Sequence, residues 1–317
     1  MTRTPPSPLP PPLRDPAEQA PRVWAISDIH TDIKQNRTWL YALSKTAYLR
    51  DTLILAGDVC DRLEILRDTL AHVRSLFSAV CYVPGNHELW VRRRESPDSI
   101  AKFWQIRRLC QTLGIHTEPF KLSTMSGSGV WIVPLFSWYM QPEEGAGSLF
   151  VEKPGEDPTL SMWSDHHFTS WPPMVTAPTA AEFFLGLNEH HVNRAYDAPV
   201  ISFSHFLPRT ELIYSTPEER RGRVLTDPYP QFNFSRVAGC LGIDTQVRRL
   251  GAIIHIYGHQ HRNRNRVIDG VRYISHCLGY PRERQHLSGD QFVQGPALIY
   301  DLSGVQGPAA HREVRSE

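Results

Sequence analysis

Neither sign of charge dominates this chain. Its 34 lysines and arginines stand against 33 aspartates and glutamates, a formal net charge of +1. That excludes the basic excess on which general nucleic-acid binding rests, so nucleic acid is not the expected partner. The basic runs that do occur, "VRRRE", "EERRGR" and "HRNRNR", read as solvated surface. Cysteine is scarce: Cys60, Cys81, Cys110, Cys240 and Cys277 form no close pair and no Cys-x-x-Cys. An odd, scattered set fits a reducing compartment, and a cytoplasmic setting is expected. No apolar run is long enough to span a bilayer. The start lacks the apolar stretch of a secretory leader, though an organellar address in it stays open. Internal repeats are absent, and so are the metalloprotease patterns His-Glu-x-x-His and His-x-x-Glu-His.

What is present is a chain of 317 residues, 41% hydrophobic, enough for one large domain or two small ones. Residues 1–21 are Pro-rich and read as a disordered tail. A domain is expected over 22–305, with a flexible C-terminus over 306–317. Apolar strands at Val23 to Ile26, Asp51 to Asp61 and Ala79 to Glu88 alternate with helical stretches at Asn36 to Arg50 and Arg62 to Phe77. In the second of these Leu63, Leu66, Leu70, Val73 and Phe77 share one face. Strand, helix, strand, helix, strand argues for a layered α/β fold. A helix is expected over Ser96 to His116, with Ser96 as N-cap and Gly114 near its stop. Between Gln141 and Thr179 no period survives, which predicts an insertion or long loop. Further strands are expected at Gly129 to Met140, Pro199 to Leu212, Ala252 to Tyr280 with a turn at Asp269-Gly270, and Ala297 to Leu302.

The strand ends carry unusual cargo. The first ends in Asp28-Ile29-His30, the second in Gly57-Asp58-Val59-Cys60-Asp61-Arg62, the third in Gly85-Asn86-His87-Glu88. Later runs deliver His205 and then Gly258-His259-Gln260-His261. Alternate residues of an extended chain face the same way, so Asp28 and His30 can reach one object. Any one of these is commonly a helix cap or a turn residue. Five such ends in one chain are a different matter, because ligands gather at the carboxyl ends of parallel strands.

In this order the motifs resemble those of the calcineurin-like metallophosphoesterases, over about Val23 to His261. The resemblance implies an α/β fold built as a four-layer α/β/β/α sandwich, two mixed sheets flanked by helices. It implies two divalent ions: Asp28, His30 and His261 on one, Asn86, His205 and His259 on the other, Asp58 bridging. It implies hydrolysis of a phosphate ester by a hydroxide bridging the ions, with His87 protonating the leaving oxygen and Asp61 orienting His87. Arg62 would contact phosphate, and Arg209 is a further candidate for substrate contact. Imidazole and carboxylate together suit Mn, Fe, Zn or Ni more than Ca or Mg. Paired divalent ions can hold both nucleophile and phosphoryl oxygens for in-line attack.

The substrate is expected to be a small or medium phosphorylated molecule, monoester or diester, with no membrane partner; oligomeric state stays open. "GDVCDR" and "GNHE" are similar to the protein phosphatase branch, but Leu63 stands where that branch has Gly and Pro84 where it has Arg. That puts a dedicated protein phosphatase activity in doubt. A non-catalytic scaffold of the same fold, or a nucleic-acid phosphodiesterase, is the alternative. Trp138, Tyr139, Trp163, Phe168 and Trp171 in and beside the 141–179 insertion are expected to pack under the loop rather than cap a pocket. His166-His167 and His190-His191 are set aside as ligands, because adjacent residues on a strand diverge.

Overall fold

Strand β1 (Arg22–Ile26) is buried along its whole length because both of its faces are covered. It runs parallel to β2 (Thr52–Ala56), which runs parallel to β3 (Ala79–Val83). The last strand, β10 (Ala297–Asp301), closes the other edge antiparallel to β1. The computed structural model describes residues 20–92, 95–124, 127, 129–172, 179–220, 229–284 and 293–303. The expected tail, except its last two residues, and the expected C-terminus 306–317 lie outside the described residues.

A second sheet has the order β4-β5-β6-β7-β9-β8. Its parallel centre is β5 (Gly129–Pro134), β6 (Val200–Phe203), β7 (Ala252–Tyr257) and β9 (Val271–Ser275). Antiparallel edges are β4 (Phe120–Ser123) and β8 (Arg264–Ile268). The two-residue period sorts the layers. Val23, Ala25, Ile54, Ala56, Cys81 and Val83 share one core with the second sheet. Their neighbours Trp24, Ile26, Leu53, Leu55, Val80 and Tyr82 pack on α1 (Lys34–Tyr41) and α2 (Leu63–Leu76). Leu66, Leu70 and Val73 of α2 are buried there, each contributing about 1.5–3 kcal/mol. On the far side α5 (Ala180–Val192) and α7 (Leu241–Arg249) cover the second sheet through Phe184, Ile243 and Val247. The result is the expected α/β/β/α layering of two mixed sheets.

Local differences have local causes. Helix α1 stops at Tyr41, well short of the predicted Arg50. Helix α3 (Ser99–Leu113) is capped by Asp98, whose carboxylate accepts from the Ala101 N–H, and not by Ser96. Gly114 ends it in the left-handed conformation, as its position predicts. Strand β4 was not expected: its short, partly exposed "FKLS" gives no apolar run. Among the described residues of the 141–179 segment there is one short helix, α4 (Ser164–Phe168). Later comes α6 (Pro217–Arg220). Among the described residues no helix is long and apolar enough to cross a membrane.

Candidate metal centre

Five parallel strands, β1, β2, β3, β6 and β7, end at one edge of the sandwich, and the turns that follow are tied together. The N–H of Asp28 donates to Gly57 O at 3.0 Å and that of His30 to Asp58 O at 3.1 Å. The His259 N–H donates to Asp28 Oδ1 at 3.1 Å, which joins the two sheets. Seven non-glycine residues among those described have positive φ, and five of them are Asp28, His30, Asp58, His259 and His261. Such backbone costs on the order of 1–3 kcal/mol per residue and concentrates at functional sites. Gly57, at φ 83°, has a second reason to lack a side chain: a Cβ there would strike the His205 ring.

The seven predicted ligand residues meet. Asp28, His30, Asp58 and His261 form one group, and Asp58, His205 and His259 another, with the ligand atoms of each group within 4.8 Å of one another. Asp58 belongs to both. Asn86 Oδ1 lies 3.1 Å from His205 Nε2, which places the amide with the second group. Whether these side chains suit a cation is decided by their far ends. His205 Nδ1 faces Ala56 O at 2.9 Å, and His259 Nε2 faces Val237 O at 3.0 Å. A carbonyl only accepts, so each of those nitrogens carries the proton. His261 Nδ1 is held in the same way by Glu283 Oε2 at 2.7 Å. The remaining nitrogens turn lone pairs inwards: His205 Nε2 towards Asn86 Oδ1, His261 Nε2 towards Asp28 Oδ1 at 3.3 Å. His30 Nδ1 is buried without a partner. Lone pairs facing lone pairs in a buried pocket call for divalent cations, and the donor set fits them.

Electrostatics agree. Burial pushes Asp58 up, but the imidazoles of His205 and His87 outweigh it and hold the carboxyl well below its usual range. Asp28 is lowered in the same way, its burial overcome chiefly by His261. Without a cation the charge deficit is met by protons: burial would lower His205, yet Asp58 raises it to about 9. His261 rises to about 10 against its burial, through Asp28 and Glu283. His259, buried and beside His205, falls to about 3.

Four residues that the sequence reading passed over hold this arrangement. Glu88, fully buried, accepts from the N–H groups of Val59 at 2.6 Å, Cys60 at 2.8 Å, Asp58 at 3.0 Å and Gly85 at 2.6 Å. It therefore ties the turn after β2 to the turn after β3. Burial and the nearby Asp58 push it up to about 7, against those donors. Asp165 of α4, also fully buried, accepts from Asn86 Nδ2 at 2.8 Å, Trp90 Nε1 at 2.7 Å and Trp163 Nε1 at 3.0 Å. It fixes which end of the Asn86 amide faces the centre. Burial pushes Asp165 up to about 6. Glu283 holds His261, and Arg284 anchors that loop, donating to Leu278 O at 2.8 Å and to Asn36 Oδ1 at 2.6 Å.

His87 lies at the rim. Its N–H donates to Asp58 Oδ1 at 3.0 Å, its Nε2 is 3.8 Å from Asp58 Oδ2, and its ring lies 3.7 Å from that of Trp90. Burial lowers its imidazole to about 4. Asp61 is placed differently from expectation. Its Oδ2 sits 3.3 Å from Arg92 Nη1, and His87 Nε2 takes Tyr280 Oη, at 3.2 Å, as its hydrogen-bond partner. The charge of Asp61 still favours the protonated imidazole. Arg92 stacks on Trp90 and Phe168. Arg62 stands at the N-cap position of α2, and its half-exposed side chain makes no capping bond. Arg209 is committed elsewhere: Glu211, Asp244 and Asp269 surround its guanidinium at 2.5–3.3 Å, which leaves it no charge to offer a substrate.

The insertion is both packing and support. Trp138 and Tyr139 are core, with Trp171 edge-on against Trp138, as packing predicts. Trp163 and Asp165 reach the centre, where the Trp163 ring stands edge-on to His259. His190 and His191 do not diverge, because they lie on a helix; both reach Glu118 Oε2, at 3.2 and 2.6 Å. Arg107 takes the other Glu118 oxygen, so this trio is a closed ion-pair network.

A sequence profile of calcineurin-like phosphoesterases matches residues 21–263. The chain is 29% identical over 306 residues to the acyl-carrier-protein phosphodiesterase PptH of Mycobacterium tuberculosis, covering 90% of this chain and 88% of that protein. The crystal structure of the phosphopantetheinyl hydrolase PptH from Mycobacterium tuberculosis matches with a TM-score of 0.65 at 25% identity, over 86% of this chain and 94% of that one. The chain belongs to the calcineurin-like phosphoesterase family and is a metal-dependent phosphoric ester hydrolase.

Proposed function

We propose that this calcineurin-like phosphoesterase is a dinuclear phosphodiesterase whose substrate is a phosphopantetheinyl group esterified to a carrier protein. The observation that carries the dinuclear reading is the pair of ligand groups that share Asp58, with His205 Nε2 and His261 Nε2 turned inwards. Asp28, His30 and His261 would hold one ion, and Asn86, His205 and His259 the other, with Asp58 on both. The substrate class rests on the likeness to PptH along nearly the whole of both chains. Residues 22–305 act in this reading as one domain, with 141–179 as its insertion. The five buried free thiols suit a reducing, cytoplasmic setting.

When bound, divalent ions such as Mn, Fe, Zn or Ni supply positive charge for the phosphoryl oxygens and lower the pKa of a coordinated water towards ~7. The chain's own groups do the rest. Water, having given up one proton to solvent, adds to phosphorus, the bond from phosphorus to the leaving oxygen breaks, and its electron pair stays on that oxygen. His87 gives the leaving oxygen a proton. Burial keeps His87 neutral at pH 7 in the free site, so the substrate's negative oxygens and Asp61 must recruit its second proton. Arg62 and Arg92 stand near the start of α2 and beside Trp90 as cations for the remaining phosphate charge.

The test is to strip the protein of metal and restore Mn²⁺. Turnover of p-nitrophenyl phosphate, bis-p-nitrophenyl phosphate and a phosphopantetheinylated acyl carrier protein is then measured, with Asp58→Asn as control. Hydrolysis of the diesters by wild type alone is the expected result. Preference for the monoester would remove the diesterase reading. Two bound ions with no turnover of any ester would leave the non-catalytic scaffold, and cleavage of nucleic acid alone would make the protein a nuclease.

A further inference from the structure

Tyr280 is absent from every motif of the sequence, yet it roofs the centre. Its ring stacks on His30 with centroids 4.5 Å apart and meets His261 edge-on at 4.8 Å. The loop that carries it is pinned at both ends. The Gly279 N–H donates to Asp28 O at 3.0 Å, and the Tyr280 N–H to Glu283 Oε2 at 2.7 Å. The phenol is thus placed by the same groups that hold the ligands, and its hydroxyl ends 3.2 Å from His87 Nε2. The roof spans the site, from the ligands of one proposed ion to the acid that follows Asn86 in the chain.

A tyrosine needed only to cover two imidazoles would do so equally well as phenylalanine. The hydroxyl contributes something else: a neutral hydrogen-bonding group beside His87 Nε2, at the open rim of the site. Two donors 3.2 Å apart can share one acceptor, each at an ordinary hydrogen-bond length of about 2.8 Å. An ester oxygen entering in front of His87 meets that condition. Resting on the hydrolase reading above, we propose that Tyr280 is a further catalytic residue: its hydroxyl leaves His87 and donates a hydrogen bond to the phosphoryl group beside the leaving oxygen. It transfers no proton. His87 supplies the proton, while Tyr280 stabilises the charge that builds on oxygen as the bond to phosphorus breaks.

The test uses the full chain loaded with Mn²⁺ and compares wild type with Tyr280→Phe, which keeps the stacking on His30 and deletes only the hydroxyl. Metal content is read by elemental analysis, inorganic phosphate binding by calorimetry, and kcat and KM on bis-p-nitrophenyl phosphate. The inference expects full metal content, phosphate affinity weakened about 10-fold, and kcat down about 100-fold with a smaller change in KM. Unchanged phosphate affinity and kcat at full metal content would overturn it. Loss of metal in Tyr280→Phe would overturn it too, by making the residue a brace for its neighbours. A wild type that binds phosphate through Tyr280 but cleaves no ester would sink the hydrolase reading and leave this contact standing.

Discussion

The two halves of the centre are built from similar ligands and closed by different means. The half around Asn86, His205 and His259 is sealed: His205 is fully buried, Asn86 is 2% exposed, and a long insertion arrives to brace it through Asp165. The half around Asp28, His30 and His261 has a floor as deep but an open lip. His261 and His87 are 11% and 13% exposed, and the short loop 279–284 lies across them. A buried brace cannot be moved without leaving donors unpaired, whereas a lip loop can yield to an incoming ester. On the proposed reading, the sealed half fixes the geometry and substrate is handled on the open side.

Removing what the halves share should have the largest effect. Asp58→Asn is expected to empty both positions and lower turnover by roughly 10²–10³-fold or more. Elemental analysis after Mn²⁺ loading checks this, and retention of one full ion would show that the halves bind independently. Next comes the sealed half alone. Asp165→Ala leaves the Asn86 amide and two indole N–H groups without an acceptor, a loss of about 1–3 kcal/mol for each unpaired group. Chemical denaturation should show that loss, and the affinity for one ion should drop about 10- to 100-fold. Equal loss of both ions would erase the distinction between halves. The open half should be more forgiving. Glu283→Gln keeps an oxygen for His261 Nδ1 and removes only the charge, so one ion should weaken about 10-fold or less with stability nearly unchanged. A larger effect than that of Asp165→Ala would reverse the comparison.

The same asymmetry decided what could be read from the sequence. The clustering of the proposed ligands was legible because each sits at the end of an apolar run, where burial and polarity change abruptly within two or three residues. The braces were not. Asp165 acts on Asn86 across 79 positions and Arg284 on Asn36 across 248, and neither interval has a pattern of its own. Glu88 lay inside a recognised motif, but its task is to accept from backbone N–H groups of the preceding motif, which side-chain spacing cannot show. Tyr280 follows Gly279 in a turn after β9, where an aromatic reads as ordinary loop packing. The layers were legible throughout, since continuous apolar strands imply cover on both faces. Asp61 and Arg209 fell the other way: adjacency to a motif suggested contact with it, and competing charges, Arg92 for one and three carboxylates for the other, claimed them instead.

The smallest effect expected is at the trio that imitates the centre. Glu118, His190 and His191 offer a carboxylate and two imidazoles, the same ligand types as Asp28, His30 and His261. The difference is Arg107, which occupies the second carboxylate oxygen and sets a fixed positive charge beside it. Burial pushes Glu118 up, but hydrogen bonds from His191 and His190 outweigh it and bring the carboxyl to about 2. A carboxyl lowered on folding stabilises the native state above its unfolded value near 4.5, and that contribution fades as pH falls towards 2. Glu118 is half exposed, so solvent screening keeps the contribution to about 1 kcal/mol or less. Glu118→Gln should therefore be slightly less stable than wild type at pH 6, and the gap in denaturation midpoint should narrow below pH 4 and close near pH 2. Metal content should not change. An ion lost with Glu118→Gln would mean that an arginine beside a carboxylate does not, after all, distinguish an ion pair from a metal site in this protein.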